Sequence, residues 1–148
     1  MKKIDNPFAG LENYNCFGCS PNNPYGLQME FYEDGDEIVS LWEPKKQFQG
    51  YHAILHGGIQ STLIDEIASW LVRTKLRSSG MTSKLEVKFK KPVLMNEGGL
   101  TLRAKLLETK RNLAYINVKL INSKDELCSE GEVVFFLLPK ETVSEALK

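Results

Sequence analysis

Long apolar runs are missing from this chain of 148 residues, and none approaches the length that spans a bilayer, so no membrane partner is expected. The opening residues Met1-Lys2-Lys3-Ile4-Asp5-Asn6-Pro7 lack the apolar stretch of a secretory signal, which makes the cytoplasm the expected location. Histidine is scarce. His52 and His56 are the only two, which excludes a His-rich metal site within one chain. Three cysteines cannot all pair internally, and Cys16-x-x-Cys19 has no second ligand pair of the kind a structural zinc site needs. No metal or redox cofactor is therefore expected. Nineteen basic and nineteen acidic side chains cancel, removing the whole-molecule field that would argue for nucleic acid. There is no P-loop and no G-x-S-x-G elbow, so a nucleotidase or serine-hydrolase reading lacks its motif.

What is present is ordinary globular composition, 42% apolar, read as one domain over residues 1–148. Residues 1–26 are rich in Asn, Pro and Gly, which favours turns and predicts an irregular lead. Leu27, Met29 and Phe31 then alternate with Gln28, Glu30 and Tyr32 as in a half-buried strand, and Asp34-Gly35 signals a hairpin to a return strand from Ile38 to Trp42. Over about 57–76 the apolar residues fall at helical spacing, with Ile59, Leu63, Ile67, Trp70 and Leu71 on one stripe and Ile64, Ala68 and Val72 elsewhere. Such a helix is buried on most sides. From residue 82 onward the period is that of strands, ending in Val133 to Leu138, apolar on both faces as in a central or interface strand. Turns at 109–112 and 122–125 predict antiparallel neighbours. The order is α+β: two strands, a long helix, then an antiparallel meander wrapping it.

Charge is unevenly spread. Residues 28–66 hold eight acidic side chains against two basic, whereas 73–91 carries Arg73, Lys75, Arg77, Lys84, Lys88, Lys90 and Lys91 against Glu86 alone. A polyanionic ligand favours the second segment, although solvated faces account for most such charges.

The chemistry concentrates at His56-Gly57-Gly58, where glycines open the helix, followed by Asp65 and Glu66. A helix N-terminus presents unpaired N–H groups to an anionic oxygen, and a developing oxyanion fits there. A methyl on Gly57 would intrude if φ is positive or the packing tight. Asp65 and Glu66 diverge by about 100° on the helix. Asp65 falls near Gly58, Ser61 and Thr62, and Glu66 with Ile59, Leu63 and Trp70. Either carboxylate suits base catalysis or nucleophilic attack, and pairing with Arg73 and Arg77 or an oligomer seam is the structural alternative.

These residues resemble the hotdog-fold thioesterases, and within them the PaaI-like acyl-CoA thioesterase branch. The resemblance rests on Cys16-Phe17-Gly18-Cys19, Asn23-Pro24-Tyr25-Gly26-Leu27, Phe48-Gln49-Gly50-Tyr51, His56-Gly57-Gly58 with Asp65-Glu66, and Lys90-Lys91-Pro92-Val93. It implies a curved antiparallel sheet around one long helix, and a homodimer or dimer of dimers with sites at the dimer interface. It further implies hydrolysis of an acyl-CoA to free acid and coenzyme A without cofactor. The backbone N–H of Gly57 is then the oxyanion donor, and Asp65 from the partner chain the general base or nucleophile. His56 matches the family histidine near the thioester, and Thr82, ten residues before Pro92, stands where relatives place a Ser or Thr that orients water. Where several relatives carry Asn ahead of His-Gly-Gly this chain has Gly50, with Gln49 or Gln60 as substitute; Gly58 and Glu66 complete the implied substrate contacts. Trp42, Tyr51, Trp70 and Met81 are the candidates for enclosing an acyl tail. Two rival readings share the fold: an enoyl-CoA hydratase or dehydratase, and a non-catalytic acyl-CoA sensor.

Overall fold

A computed structural model describes residues 1–139; the last nine residues of the expected 1–148 domain lie outside the described ones. Among the described residues seven strands, one α-helix and a short 3-10 helix (Lys46–Phe48, before the α-helix) succeed one another: β1 (Lys2–Lys3), β2 (Tyr32–Asp34), β3 (Glu37–Trp42), α1 (Gly57–Lys75), β4 (Ser79–Phe89), β5 (Leu100–Lys110), β6 (Leu113–Ile121) and β7 (Leu127–Leu138). They form one antiparallel sheet in the order β1-β2-β3-β5-β6-β7-β4. Apart from the two residues of β1, the lead to residue 26 has no regular element, as its composition predicts.

Two expectations need correction. Leu27, Met29 and Phe31 are buried as their alternation requires, yet strand structure begins only at Tyr32. Their backbone is engaged elsewhere: Leu27 N–H donates to the Phe17 carbonyl at 2.7 Å and Met29 N–H to that of Gly18 at 2.9 Å. Gln28 sits at φ +53°, which interrupts an extended run. The second correction concerns β4. It does not join β5 in a meander but crosses to the far side of the sheet and pairs along its length with β7. That leaves β7 interior and β4 at the edge.

The hairpins follow their local chemistry. Gly35 at φ +64° turns β2 into β3, the backbone state a tight two-residue turn demands. Asn122 Oδ1 accepts from Lys124 and Glu126 N–H at 3.0 and 2.9 Å, building the β6 to β7 turn. Helix α1 lies across the sheet's inner face, where Leu63, Ile64, Ile67 and Leu71 meet Leu102, Ala104, Ile116, Val118 and Val133, all essentially without exposure. At Gly131 the helix approaches so closely that a Cβ would lie 2.5 Å from Ile64 Cγ2. Among the described residues no helix is long and apolar enough to cross a membrane.

Candidate active site

The start of α1 is set by His56. Its imidazole Nδ1 accepts from Gly58 N–H at 2.9 Å, capping the first turn. A ring that accepts at Nδ1 in its neutral form carries its proton on Nε2, leaving a donor directed outward. Gly50 and Gly58 enclose this ring: a Cβ on Gly58 would lie 2.9 Å from His56 Cε1, and one on Gly50 3.0 Å from His56 Cα. Both glycines are thereby explained without a substrate. Gly57 is different. Its N–H has no partner among the described residues, and a Cβ there would meet only Phe89 Cε1 at 3.5 Å, an ordinary contact. Its φ is not positive. Neither condition under which the chain itself would reject a methyl at Gly57 holds.

Two turns along, Asp65 faces the sheet edge, and Thr82 Oγ1 donates to Asp65 Oδ1 at 2.7 Å. Burial pushes the Asp65 carboxyl above the ordinary range, with the Thr82 hydrogen bond partly offsetting it. Thr82 reaches the helix because of a local irregularity. Pairing with β7 slips between Thr82 and Lys84, leaving Ser83 as an extra residue. Strict alternation from Leu85, opposite buried Val133, would aim Thr82 outward; the bulge instead sets it opposite buried Phe135. Ser61 and Thr62 hydroxyls donate back to the Gly57 and Gly58 carbonyls at 3.1 and 2.9 Å, so neither is poised as a nucleophile.

Other expected site residues lie elsewhere. Gln60 is buried and spends its amide on the Leu55 carbonyl at 3.2 Å, so it does not reach a substrate from the helix surface. Gln49 is exposed and bridges Leu55 through its backbone. Glu66, set about 100° from Asp65 by helix geometry, turns to the lead and meets Cys16 Sγ at 3.5 Å. Burial raises its carboxyl to about 7. Cys19 Sγ donates to Cys16 Sγ at 3.1 Å and so lowers the Cys16 thiol to about 5. Among the described residues these three are the group whose donor atoms could share a metal ion. The acyl-tail candidates divide: Trp42 and Trp70 are core residues, one donating to the Leu27 carbonyl at 2.8 Å and the other stacked on Phe31, while Tyr51 and Met81 are exposed. Much of the basic segment is locally spent, with Lys75, Lys84, Lys90 and Lys91 on Glu33, Glu86, Glu130 and Glu126.

The sequence profile of the thioesterase superfamily matches residues 52–129, just over half the chain, and so takes in His56, Gly57, Asp65 and Thr82. The chain belongs to the thioesterase superfamily. A Saccharolobus solfataricus relative named "Putative esterase" is 29% identical over 124 residues, covering 83% of this chain and 80% of that one. In fold, this thioesterase-superfamily chain is similar to the thioesterase superfamily protein RHA08564, with a TM-score of 0.75 at 20% identity over 82% of its length. It spans 62% of that longer protein. It is also similar to a Streptococcus mutans protein whose crystal structure is bound to acetyl-CoA, with a TM-score of 0.71 at 16% identity, covering 88% of this chain and 98% of that one. The shared fold is the hotdog arrangement of one long helix on an antiparallel sheet.

Sequence reading did not find Phe89 beside Gly57 or the bulge at Ser83. Phe89 continues the inward series Leu85 and Val87, so its side was legible; its place at the helix start depends on how β4 crosses the molecule.

Proposed function

We propose that this protein is an acyl-CoA thioesterase of the PaaI-like kind, assembled as a homodimer through β4. The observation that carries the reading is the separation of the two reactive features within one chain. Gly57 N–H and Asp65 stand eight residues apart on α1, which is about 12 Å along the axis. A base and an oxyanion donor serving one carbonyl must each come within roughly 3 Å of it or of its attacking water. One chain does not supply both to one thioester.

A second copy does. Residues of β4 on its helix-facing side belong to the class that the rest of the sheet buries, yet Leu85 and Phe89 are 38% and 55% exposed because β4 has no outer neighbour among the described residues. Phe89 marks the Gly57 end of α1 and Thr82 the Asp65 end. An antiparallel pairing of two β4 strands about an axis near Leu85 and Glu86 sets the Phe89 end of one beside the Thr82 end of the other. Each site then combines Gly57 of one protomer with Asp65 of its partner.

In that site the thioester carbonyl accepts from Gly57 N–H, and His56 Nε2–H stands at the same helix end as a second donor. Asp65, oriented by Thr82, takes a proton from water as the water oxygen bonds to the carbonyl carbon. Collapse of the tetrahedral intermediate breaks the C–S bond, the proton on Asp65 passes to the leaving sulfur, and the acid and the coenzyme A thiol are released with Asp65 again ionised. A carboxylate held above its ordinary pKa is a stronger base than a solvated one. The superfamily match and the acetyl-CoA in a structural relative support the substrate class.

The test is thiol release from a panel of short, long and aryl acyl-CoAs and an enoyl-CoA. Steady release of coenzyme A is expected. Hydration of the enoyl-CoA without thiol release, or binding of every acyl-CoA without turnover, would replace this reading by one of its two rivals.

A further inference from the structure

The chemistry-bearing group outside the Asp65 face is the cluster of Cys16, Cys19 and Glu66, whose sulfur and oxygen atoms all lie within 4.8 Å of one another. We infer that this cluster binds a thiophilic divalent cation, zinc above all, with Cys16 Sγ, Cys19 Sγ and a Glu66 carboxylate oxygen as protein ligands and a water in the fourth position. The cation staples the irregular lead to α1.

Geometry supports the donor set. Tetrahedral zinc with bonds of about 2.3 Å to sulfur and 2.0–2.2 Å to carboxylate oxygen separates two sulfurs by about 3.8 Å and a sulfur from an oxygen by about 3.5 Å. Cys16 Sγ stands 3.5 Å from Glu66 Oε1, so that edge is already in place. The two sulfurs stand 3.1 Å apart and must open by about 0.7 Å to reach the tetrahedral spacing, a small rotation about χ1.

Polar groups and a fixed loop already surround the two sulfurs. The Tyr14 hydroxyl lies 2.8 Å from Cys19 Sγ. The loop is held by its own bonds, Ser20 N–H to the Cys16 carbonyl at 3.1 Å and Leu27 N–H to that of Phe17 at 2.7 Å. Gly18 lies directly against the carboxylate, since a Cβ there would lie 2.5 Å from Glu66 Cδ. A cavity of about 250 Å³ opens on all three donors and is lined also by Tyr14, Trp70 and Arg73, which leaves room for a water ligand. Two thiolates and a carboxylate on a divalent cation carry a net charge of −1, and the Arg73 guanidinium faces the same cavity. Thiolate donors favour zinc over magnesium or calcium. Binding exchanges the protons of the cluster for the cation.

The ligand count made from the sequence stopped at Cys-x-x-Cys; the fold adds a donor 47 residues beyond Cys19.

The experiment uses the full chain, reduced and stripped with a chelator, and titrates it with Co²⁺ and then Zn²⁺ alone. One equivalent of cobalt should bind with a sulfur-to-cobalt charge-transfer band and tetrahedral d–d absorption, be displaced by zinc, and raise the melting temperature. Zinc should shield Cys16 and Cys19 from alkylation in the unmutated protein, a readout that requires no variant to fold. Cys16→Ser and Glu66→Gln should each weaken cobalt binding about 100-fold or more, at least the cost of losing an outer-shell partner, while Cys128→Ala binds normally. Absence of the charge-transfer band from reduced protein, alkylation of both cysteines unaffected by zinc, or a band indifferent to Glu66→Gln would overturn the three-donor site. None of these readouts depends on thioester hydrolysis.

Discussion

Two adjacent carboxylates on one helix serve different surroundings here, and their substitution should separate them. Asp65→Asn is expected to fold and to lose about 10²–10⁴ in turnover, the range for a positioned base; thiol release and thermal melting on the same sample check both halves. Thr82→Val removes the 2.7 Å hydrogen bond to Asp65 and should cost about tenfold in turnover, in keeping with roughly 1.5 kcal/mol for a bond to a charged group. Gly57→Ala tests the helix start cleanly, because the chain tolerates the added methyl. Melting should hold or rise by up to about 1 kcal/mol of helix propensity, while turnover falls as the methyl crowds the approaching thioester. Full activity in Gly57→Ala and in Gly57→Val would place the carbonyl elsewhere.

At the scale of elements, the long helix was legible because its apolar residues kept one period for five turns, and the observed Gly57–Lys75 falls within the 57–76 read from pattern. The strand expected at Leu27 to Phe31 failed for a physical reason: alternate burial needs only an extended chain against a core, not a ladder partner, and these residues bond to the lead instead. The site was legible in part. His56, Gly57 and Asp65 stand out in a local motif, whereas the Thr82 orientation depends on a bulge that periodicity alone hides, and the third donor of the thiol cluster is distant in sequence. Edge strand β4 provides the element-scale prediction. Leu85→Lys with Phe89→Lys puts charge on its exposed inner side and should yield monomers in sedimentation, with turnover lost and the fold retained by circular dichroism.

For the whole molecule, the proposed arrangement makes complementation possible. Inactive Asp65→Asn protomers mixed with Gly57→Val protomers should regain thiol release, because one of the two sites in each mixed dimer then has both groups intact. No recovery after verified subunit exchange would place both groups in one chain. The lead matters at this scale too. Gly18→Ala puts a Cβ where the Glu66 carboxylate lies and should destabilise the protein by about 1 kcal/mol, the low end of overpacking because the end of a flexible side chain moves aside, measurable by denaturant unfolding.

The extra residue at Ser83 imposes a parity rule on the edge strand. Residues before it and after it are half a pleat out of step with simple alternation. Deleting Ser83 alone would remove the bulge and restore plain alternation, with Thr82 still opposite Phe135, Lys84 opposite Val134 and Leu85 opposite Val133, so Thr82 keeps its side of the strand and its hydrogen bond to Asp65. Removing both Ser83 and Lys84 would make Thr82 and Leu85 neighbours, which alternation sends to opposite faces, so Thr82 would swing to the solvent side and free the Asp65 carboxylate. Loss of one residue from this segment is therefore tolerated and loss of two is disruptive, so counting residues between Thr82 and Leu85 tells whether a variant keeps its hydroxyl on the carboxylate.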